Sequence, residues 1–333
     1  MDFRTRISIP TSDFQLNHST RMMLLGSCFS ENIGNKLLEN KFRVKINPFG
    51  IVYNPLSVAA VVNRLLFKKN FNENDLVFHN DVYQSFLHHS SFSHPDKTRC
   101  LQSISESFSN AAEFIRETDI FLITFGTAYV YKLKSTGKVV ANCHKFPADT
   151  FIRERLSVEE IVKEWSEIIR AISTRNPTAK FIFTVSPIRH WKDGAHENQI
   201  SKSILHLAIE QLQKMFTSAL SYFPAYEILL DELRDYRFFA EDMMHPSSVA
   251  VDYIWDRFCE TYFSKETMDI NSEWQKIQQA LNHRPLNHNT EWHQRFQHQI
   301  LQKLIDFQAN YPQINCEVEI NKLMVDIKGN YKS

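Results

Sequence analysis

Three stretches of the chain are apolar almost without a break: residues 21–26, 120–126 and 180–187, reading RMMLLG, IFLITFG and KFIFTVSP. Runs of this length, rich in β-branched and aromatic residues, predict strands buried on both faces. A fourth, YEILLDEL at 226–233, is read the same way, and Val44–Ile46 as a short strand. Between them the spacing turns helical. Residues 29–40 place Ile33, Leu37 and Leu38 on one side, and further helices are predicted over 56–68, 106–117, 157–173, 198–216 and 247–263. Ser157 with Glu160 three residues later forms a capping-box signature. Residues 128–146 alternate around Ser135-Thr136-Gly137, predicting an inserted β-hairpin. Residues 69–105 predict an irregular excursion with short strands. From Lys265 the pattern is helical and polar, with a strand-like ending at 316–329. Strands alternating with helices predict an α/β fold with a central, mostly parallel sheet, divided into a domain over 1–264 and a mainly helical extension over 265–333.

Ligands of such sheets bind beyond the carboxyl ends of the strands, so chemistry is expected after Leu25, Phe125, Val185 and the 226–233 segment. After Leu25 comes Gly26-Ser27-Cys28, at the start of a helix. A thiol there meets free backbone N–H groups and the positive dipole end, which favour a thiolate. The plain alternative is Ser27 as a cap and Cys28 as a small buried filler. After the fourth segment come Asp242 and His245, spaced so that a carboxylate can accept Nδ1–H and aim Nε2 elsewhere. On their own these are ordinary loop residues. Together they supply a nucleophile, a base and an orienting group.

Composition narrows the classes. Lys+Arg and Asp+Glu are both 38 in 333 residues, so no charge excess points to nucleic acid or to an anionic membrane. No run approaches the roughly 18 apolar residues of a membrane helix, and the opening MDFRTRISIP lacks the apolar core of a secretory signal. Five scattered cysteines form no CxxC, and a reducing cytoplasm is the expected setting. Seven glycines, against a usual ~7% of residues, mark places where the backbone needs them; Gly26, Gly50, Gly126 and Gly194 each fall in a segment of interest.

The order of these blocks resembles the SGNH/GDSL hydrolase superfamily. The specific resemblance is to its GSCFA branch, whose motif stands here as Gly26-Ser27-Cys28-Phe29-Ser30, with Ser in place of the final Ala. The segments NPFGIVYNP, TFGTAYVY, NCHKFP, TVSPIRHWKDGAHENQISKS and LRDYRFFAEDMMHPSSVAVDYIW are similar to the same branch, over about residues 20–262. The resemblance implies a three-layer αβα, flavodoxin-like SGNH hydrolase fold. It implies Cys28 as nucleophile, with Ser27 the choice if the register slips by one, and Asp242 and His245 as the orienting acid and base. Gly50 is implied as an oxyanion donor. The third block, Gly126-Thr127-Ala128-Tyr129, lacks the superfamily's Asn, which leaves Asn142 or Thr127 to take its place. The implied activity is esterase or deacylase chemistry on an acyl ester or thioester. The alternatives are transfer to a sugar, lipid or amine acceptor, or a pocket that binds without turnover. No cofactor is expected, although acyl-CoA fits as a donor to a thiol enzyme. The expected partner is a small acyl ester or an acylated glycan or lipid.

Other residues are weaker candidates. Arg189, His190, Lys192 and Asp193 are placed to hold a carboxylate, phosphate or sugar hydroxyl, or else only cap the loop. Arg234–Arg237 are expected to buttress the Asp242 loop. His88-His89, and His144 beside Cys143, lack the ligand spacing of a zinc site, so no metal is expected. His283, His288, His293 and His298 recur every five residues, which cannot line one helix face and predicts a solvated polar helix. Phe86, Phe92 and Phe125 are candidates for an acyl pocket. Cys28 and Cys143 are candidates for a redox pair.

Overall fold

The structure is a computed structural model that describes residues 4–283 and 290–329. Along the chain run β1 (Arg21–Gly26), α1 (Cys28–Glu39), β2 (Arg43–Ile46), α2 (Pro55–Leu66), β3 (Val77–His79), β4 (Val82–Gln84), α3 (Lys97–Phe114) and β5 (Ile120–Phe125). Next come β6 (Tyr129–Leu133), β7 (Val139–Val140), β8 (Phe151–Arg155), α4 (Val158–Arg175), β9 (Lys180–Val185), α5 (Gly194–Met215) and β10 (Leu220–Tyr222). The last are α6 (Ala225–Glu227), α7 (Ser248–Tyr262), α8 (Lys265–Leu281), α9 (Glu291–Asn310) and α10 (Glu317–Gly329).

The central sheet has the order β10-β9-β5-β1-β2. The β1–β5, β5–β9 and β9–β10 pairs are parallel, with Leu24 opposite Leu122 and Ile123 opposite Phe183. The unbroken apolar runs follow from this: β5 is buried at all six positions. From β1 the chain turns to β2 on one side, whereas β5 continues through β9 to β10 on the other. That reversal puts a crevice beyond the carboxyl ends of β1 and β5, the topological switch point of such sheets. The predicted hairpin is a three-stranded antiparallel sheet, β7-β6-β8.

Helix α4 shows how local signals and packing agree. The Ser157 side chain accepts from the Glu160 N–H, and the Glu160 carboxylate accepts from the Ser157 N–H at 2.8 Å. Its inner stripe includes Ile161, Trp165, Ile168, Ile169 and Ile172. Trp165 is fully buried against Phe125 and Phe183, and its indole N–H donates to the Pro55 carbonyl at 3.1 Å. Truncating it to Ala would cost about 3–5 kcal/mol.

Three expectations need correction. Residues 226–233 are not a strand: they form α6 and a single π turn over Ile228–Glu232. The fifth sheet strand is the three-residue β10, six residues upstream. The expected strand at 316–329 is instead helix α10 over Glu317–Gly329, with Leu323 and Ile327 recurring at four-residue spacing into an apolar cluster. Within α9, His293 is buried alongside Gln297, Ile300, Leu304 and Phe307, so that helix has an apolar stripe; His288 lies outside the described residues.

The chain divides into two compact units. The first comprises residues 1–13, 21–35 and 44–261, and holds the sheet. The second comprises residues 14–20, 36–43 and 262–333. Its own core joins Ile270, Trp274, Ile300, Leu304 and Phe307, and the Trp274 indole donates to the Glu39 carbonyl at 2.7 Å. Among the described residues no helix is long and apolar enough to cross a membrane.

Candidate active site

The apolar run of β1 ends at Gly26 with φ at +139°. A Cβ there would lie 2.2 Å from the Thr124 carbonyl oxygen on β5, so only glycine lets the strands close at this point. Its N–H donates to Asn47 Oδ1 at 2.9 Å, and its carbonyl accepts from Val52 N–H at 3.2 Å. Ser27 is buried: its hydroxyl donates to Ser186 Oγ at 3.1 Å and accepts from the Phe29 N–H at 3.2 Å. Cys28 opens α1 and is half-buried. Burial pushes its thiol above the ordinary value, outweighing the N–H groups of Cys28 and Phe29 and the positive charge of Lys202, all of which favour the thiolate. The expected thiolate is therefore corrected. Desolvation by the neighbouring side chains beats the helix terminus here.

Asp242 and His245 sit in the tight loop between Phe238 and Ser247. Met243 within it is in the left-handed region, at φ +58°. Ala240 N–H donates to the His245 carbonyl at 2.7 Å, and Ser247 N–H to the Phe238 carbonyl at 2.8 Å. One Asp242 oxygen accepts the N–H groups of Met244 and His245, both at 2.9 Å. The other lies 2.5 Å from His245 Nδ1. The His245 N–H first, then that of Met244 and the imidazole, hold the carboxyl down to about 2. Three donors thus fix the ring with Nδ1 occupied and Nε2 directed away. The pair is open to solvent, with side chains 48% and 40% exposed.

Among the described residues no hydrogen bond joins Cys28 to His245. His190 feels the charge of His245. Its Nε2 would be 3.2 Å from a Cβ placed on Gly126. Burial first, then the charges of Lys202 and His245, push it down to about 4, which keeps it a neutral imidazole.

Lys202 is the functional candidate that sequence reading missed. It is 1% exposed, and its ammonium donates to the carbonyls of Gly126 and Ser186, both at 2.7 Å. Those carbonyls end β5 and β9. Among the described residues no carboxylate balances the charge, and burial pushes the amine down to about 7. A signal was present: Lys202 falls on the buried stripe of α5 with Asn198, Leu205, Ile209 and Leu212. A lysine on such a stripe calls for an explanation.

Of the other expected residues, Thr127, Asn142, His144, His190 and Lys192 share one cavity, whereas Gly50 and Arg189 lie outside it. The Gly50 N–H is already donated to the Asn47 carbonyl at 2.7 Å, and that of Gly126 to the Tyr53 carbonyl at 2.7 Å. Neither is free for an oxyanion. Thr127 Oγ1 is 3.0 Å from Ser201 Oγ and accepts from Tyr129 N–H, and Asn142 Oδ1 accepts from His144 N–H at 2.9 Å. His144, His190 and Lys192 line one cavity of about 540 Å³, whereas Arg189 lines another of about 190 Å³. Phe125 is locked in the core against Trp165 and Phe183, and none of the three candidate phenylalanines lines the smaller cavity. Cys28 and Cys143 are both free thiols.

The GSCFA family profile matches residues 21–258, and the profile described as "GSCFA domain protein, C-terminal domain" matches 274–328. The chain belongs to the GSCFA family. No curated protein matches its sequence. Among solved structures, this GSCFA protein is similar at 10% identity and TM-score 0.35 to a carbohydrate esterase family 3 protein from Talaromyces cellulolyticus, over 76% of this chain and 99% of that one. It has the same identity and TM-score with the Clostridium thermocellum family 3 carbohydrate esterase, covering 76% and 97%. An acetyl xylan esterase, Est2A, from Butyrivibrio proteoclasticus aligns at TM-score 0.37 and 10% identity, covering 73% and 63%.

Proposed function

We propose that this GSCFA protein is an esterase or deacylase acting on an acyl ester or thioester. The observation that supports the reading is the Asp242–His245 pair, in which three donors converge on one carboxylate and leave Nε2 available as a base. Cys28, beyond β1 at the switch point, is the nucleophile. His245 takes the thiol proton, sulfur bonds to the substrate carbonyl carbon, and the proton passes to the departing alkoxide or thiolate. Water, activated by the same imidazole, then cleaves the acyl-thioester. The raised thiol makes the base necessary. Because thiol and imidazole share no hydrogen bond here, they meet in the substrate complex, as catalytic groups often do. The Cys28 N–H at the start of α1 is the oxyanion donor, and the Lys202 charge, which favours the Cys28 thiolate, adds to it. A sugar, lipid or amine replacing water would make the same site an acyltransferase, with acyl-CoA as a fitting donor.

A second reading, ligand binding without turnover, is favoured by the occupied N–H groups of Gly50 and Gly126 and by the upward push on the thiol.

Chromogenic esters and thioesters decide between them. Turnover lost in Cys28→Ala and His245→Ala but kept in Ser27→Ala supports the thiol enzyme. Turnover kept in Cys28→Ala and lost in Ser27→Ala moves the nucleophile by one residue. No turnover of any ester or thioester by the unmodified protein favours the binding reading.

A further inference from the structure

The loop after β9 sends neighbouring side chains into two different cavities. Arg189 and Trp191 line the smaller one, which is walled by Leu229, Leu230, Phe239 and Met243, the last belonging to the Asp242–His245 loop. His190 and Lys192 line the larger one.

The smaller cavity also holds Arg234 and Asp235, and the larger one carries the greater excess of positive charge. Its cations are Lys145, Arg153 and Lys192, and its one carboxylate, Asp193, is already ion-paired with Arg153. Lys192 Nζ donates at 2.6 Å to the Tyr131 hydroxyl, a neutral partner. The Lys145 ammonium has no hydrogen-bond or ion-pair partner among the described residues. Two positive charges are therefore left uncompensated. Two of the three cations lie against aromatic rings: the Arg153 guanidinium is 4.0 Å from the centre of the Tyr129 ring, and Lys192 5.2 Å from that of Tyr131. The wall is braced from behind, because Glu197 accepts from the Tyr129 hydroxyl and from Arg155, both at 2.6 Å.

The backbone that carries Lys145 is also built for its position. His144 and Lys145 both lie in the left-handed region, at φ +50° and +59°, an unfavourable pairing for two residues with side chains. It is held by the Asn142 side chain on the His144 N–H and by the His144 imidazole on the Ser85 carbonyl at 2.8 Å. The Phe146 N–H closes the turn on the Cys143 carbonyl at 2.9 Å.

We propose that the larger cavity binds an anionic group, a phosphate or a carboxylate, on the non-acyl side of the substrate. A concave site with low-dielectric walls concentrates the field of unbalanced charges. Charge-assisted bonds from the two ammonium groups then fix the ligand's orientation. The acyl chain is left for the smaller cavity beside Met243, against Leu229, Leu230 and Phe239. Which side of the ester enters each cavity rests on the acyl-transfer reading above; the anion site itself does not.

The test uses the full chain carrying Cys28→Ala, so that turnover plays no part. Phenyl phosphate, benzoate and benzyl alcohol are titrated calorimetrically at low and at physiological salt. Both anions are expected to bind at least about tenfold more tightly than the alcohol, and more weakly as salt rises. Adding Lys145→Gln and Lys192→Gln together should lower anion affinity by about tenfold or more with the unfolding midpoint unchanged. A preference between the two anions identifies phosphate or carboxylate as the natural group. Anions binding no better than benzyl alcohol, or equally well to the double-glutamine protein, would overturn the proposal. Loss of the esterase reading in the turnover assays would leave these results standing, and the reverse is also true.

Discussion

The Lys202 ammonium lies 2.7 Å from the Gly126 carbonyl oxygen, so the end of β5 is closed by a buried positive charge. Its folded-state value of about 7 is far below the ordinary 10.5. Between those values the unfolded chain holds a proton that the folded chain has released. Stability therefore rises with pH from about 7 toward 10.5, and the penalty is fully present below 7. In Lys202→Met this part of the slope vanishes. Urea unfolding of both proteins at pH 7 and pH 9 measures the difference. The same substitution removes a charge that favours the Cys28 thiolate. Iodoacetamide labelling of Cys28 near neutral pH should slow by up to roughly tenfold, and Lys202→Arg should restore it. Equal labelling rates in all three proteins would separate Lys202 from the thiol.

Asp242→Asn is expected to lower kcat by about 10²–10⁴ with little change in the circular dichroism spectrum. The carboxyl is held at about 2, against an ordinary 3.8. Its contribution to stability is thus present above the ordinary value and lost only as pH falls through about 2. Any acid limb of the rate profile above pH 4 belongs to another group. An asparagine protein with unchanged kcat would remove the orienting role.

Buried among phenylalanines, His88 presents a different case. Its ring stacks on Phe49 at 4.4 Å, packs against Phe71 and Phe92, and neither ring nitrogen has a partner among the described residues. Burial pushes it from 6.5 down to about 3. The unfolded chain takes up a proton below pH 6.5 that the folded chain refuses, so stability is lost as pH falls from there to about 3, at up to ~1.4 kcal/mol per pH unit. His88→Phe should shift the urea midpoint upward more at pH 4.5 than at pH 7.5. Parallel shifts at the two values would contradict this.

Gly26→Ala tests the crossing of β1 and β5. The new methyl would sit 2.2 Å from a backbone oxygen at a φ of +139°, and both strands are buried, so neither can easily yield. A loss of at least about 2–4 kcal/mol is expected, seen as a lower thermal midpoint or as insoluble protein. A fully stable Gly26→Ala protein would show that the strands part locally.

How much of this was legible depends on length and context. The strands β1, β5 and β9 were plain because a sheet covered on both faces demands unbroken apolar runs. The run at 226–233 imitated that pattern. Ile228, Leu229 and Leu233 instead serve a helical turn, and the true edge strand is three residues long, too short to announce itself. The alternation at 318–320 hid the helical spacing of Leu323 and Ile327 in the same way. At the site, DxxH could be read because all its partners are local. The behaviour of the Cys28 thiol could not, because it turns on burial, which only the fold decides. Lys202 was overlooked for the same reason: its acceptors lie 76 and 16 positions away.

The cavity proposed to recognise charge takes most of its walls from the strands around Tyr129–Arg153 and from the loop at 190–193, with Ile51, Tyr53, Asn54 and His89 completing it, whereas the candidate thiol and imidazole arrive on other segments. Selectivity and reactivity are consequently written in separate passages of the polypeptide. Relatives could exchange the first passage for another, and so accept a new molecule, while inheriting the second untouched.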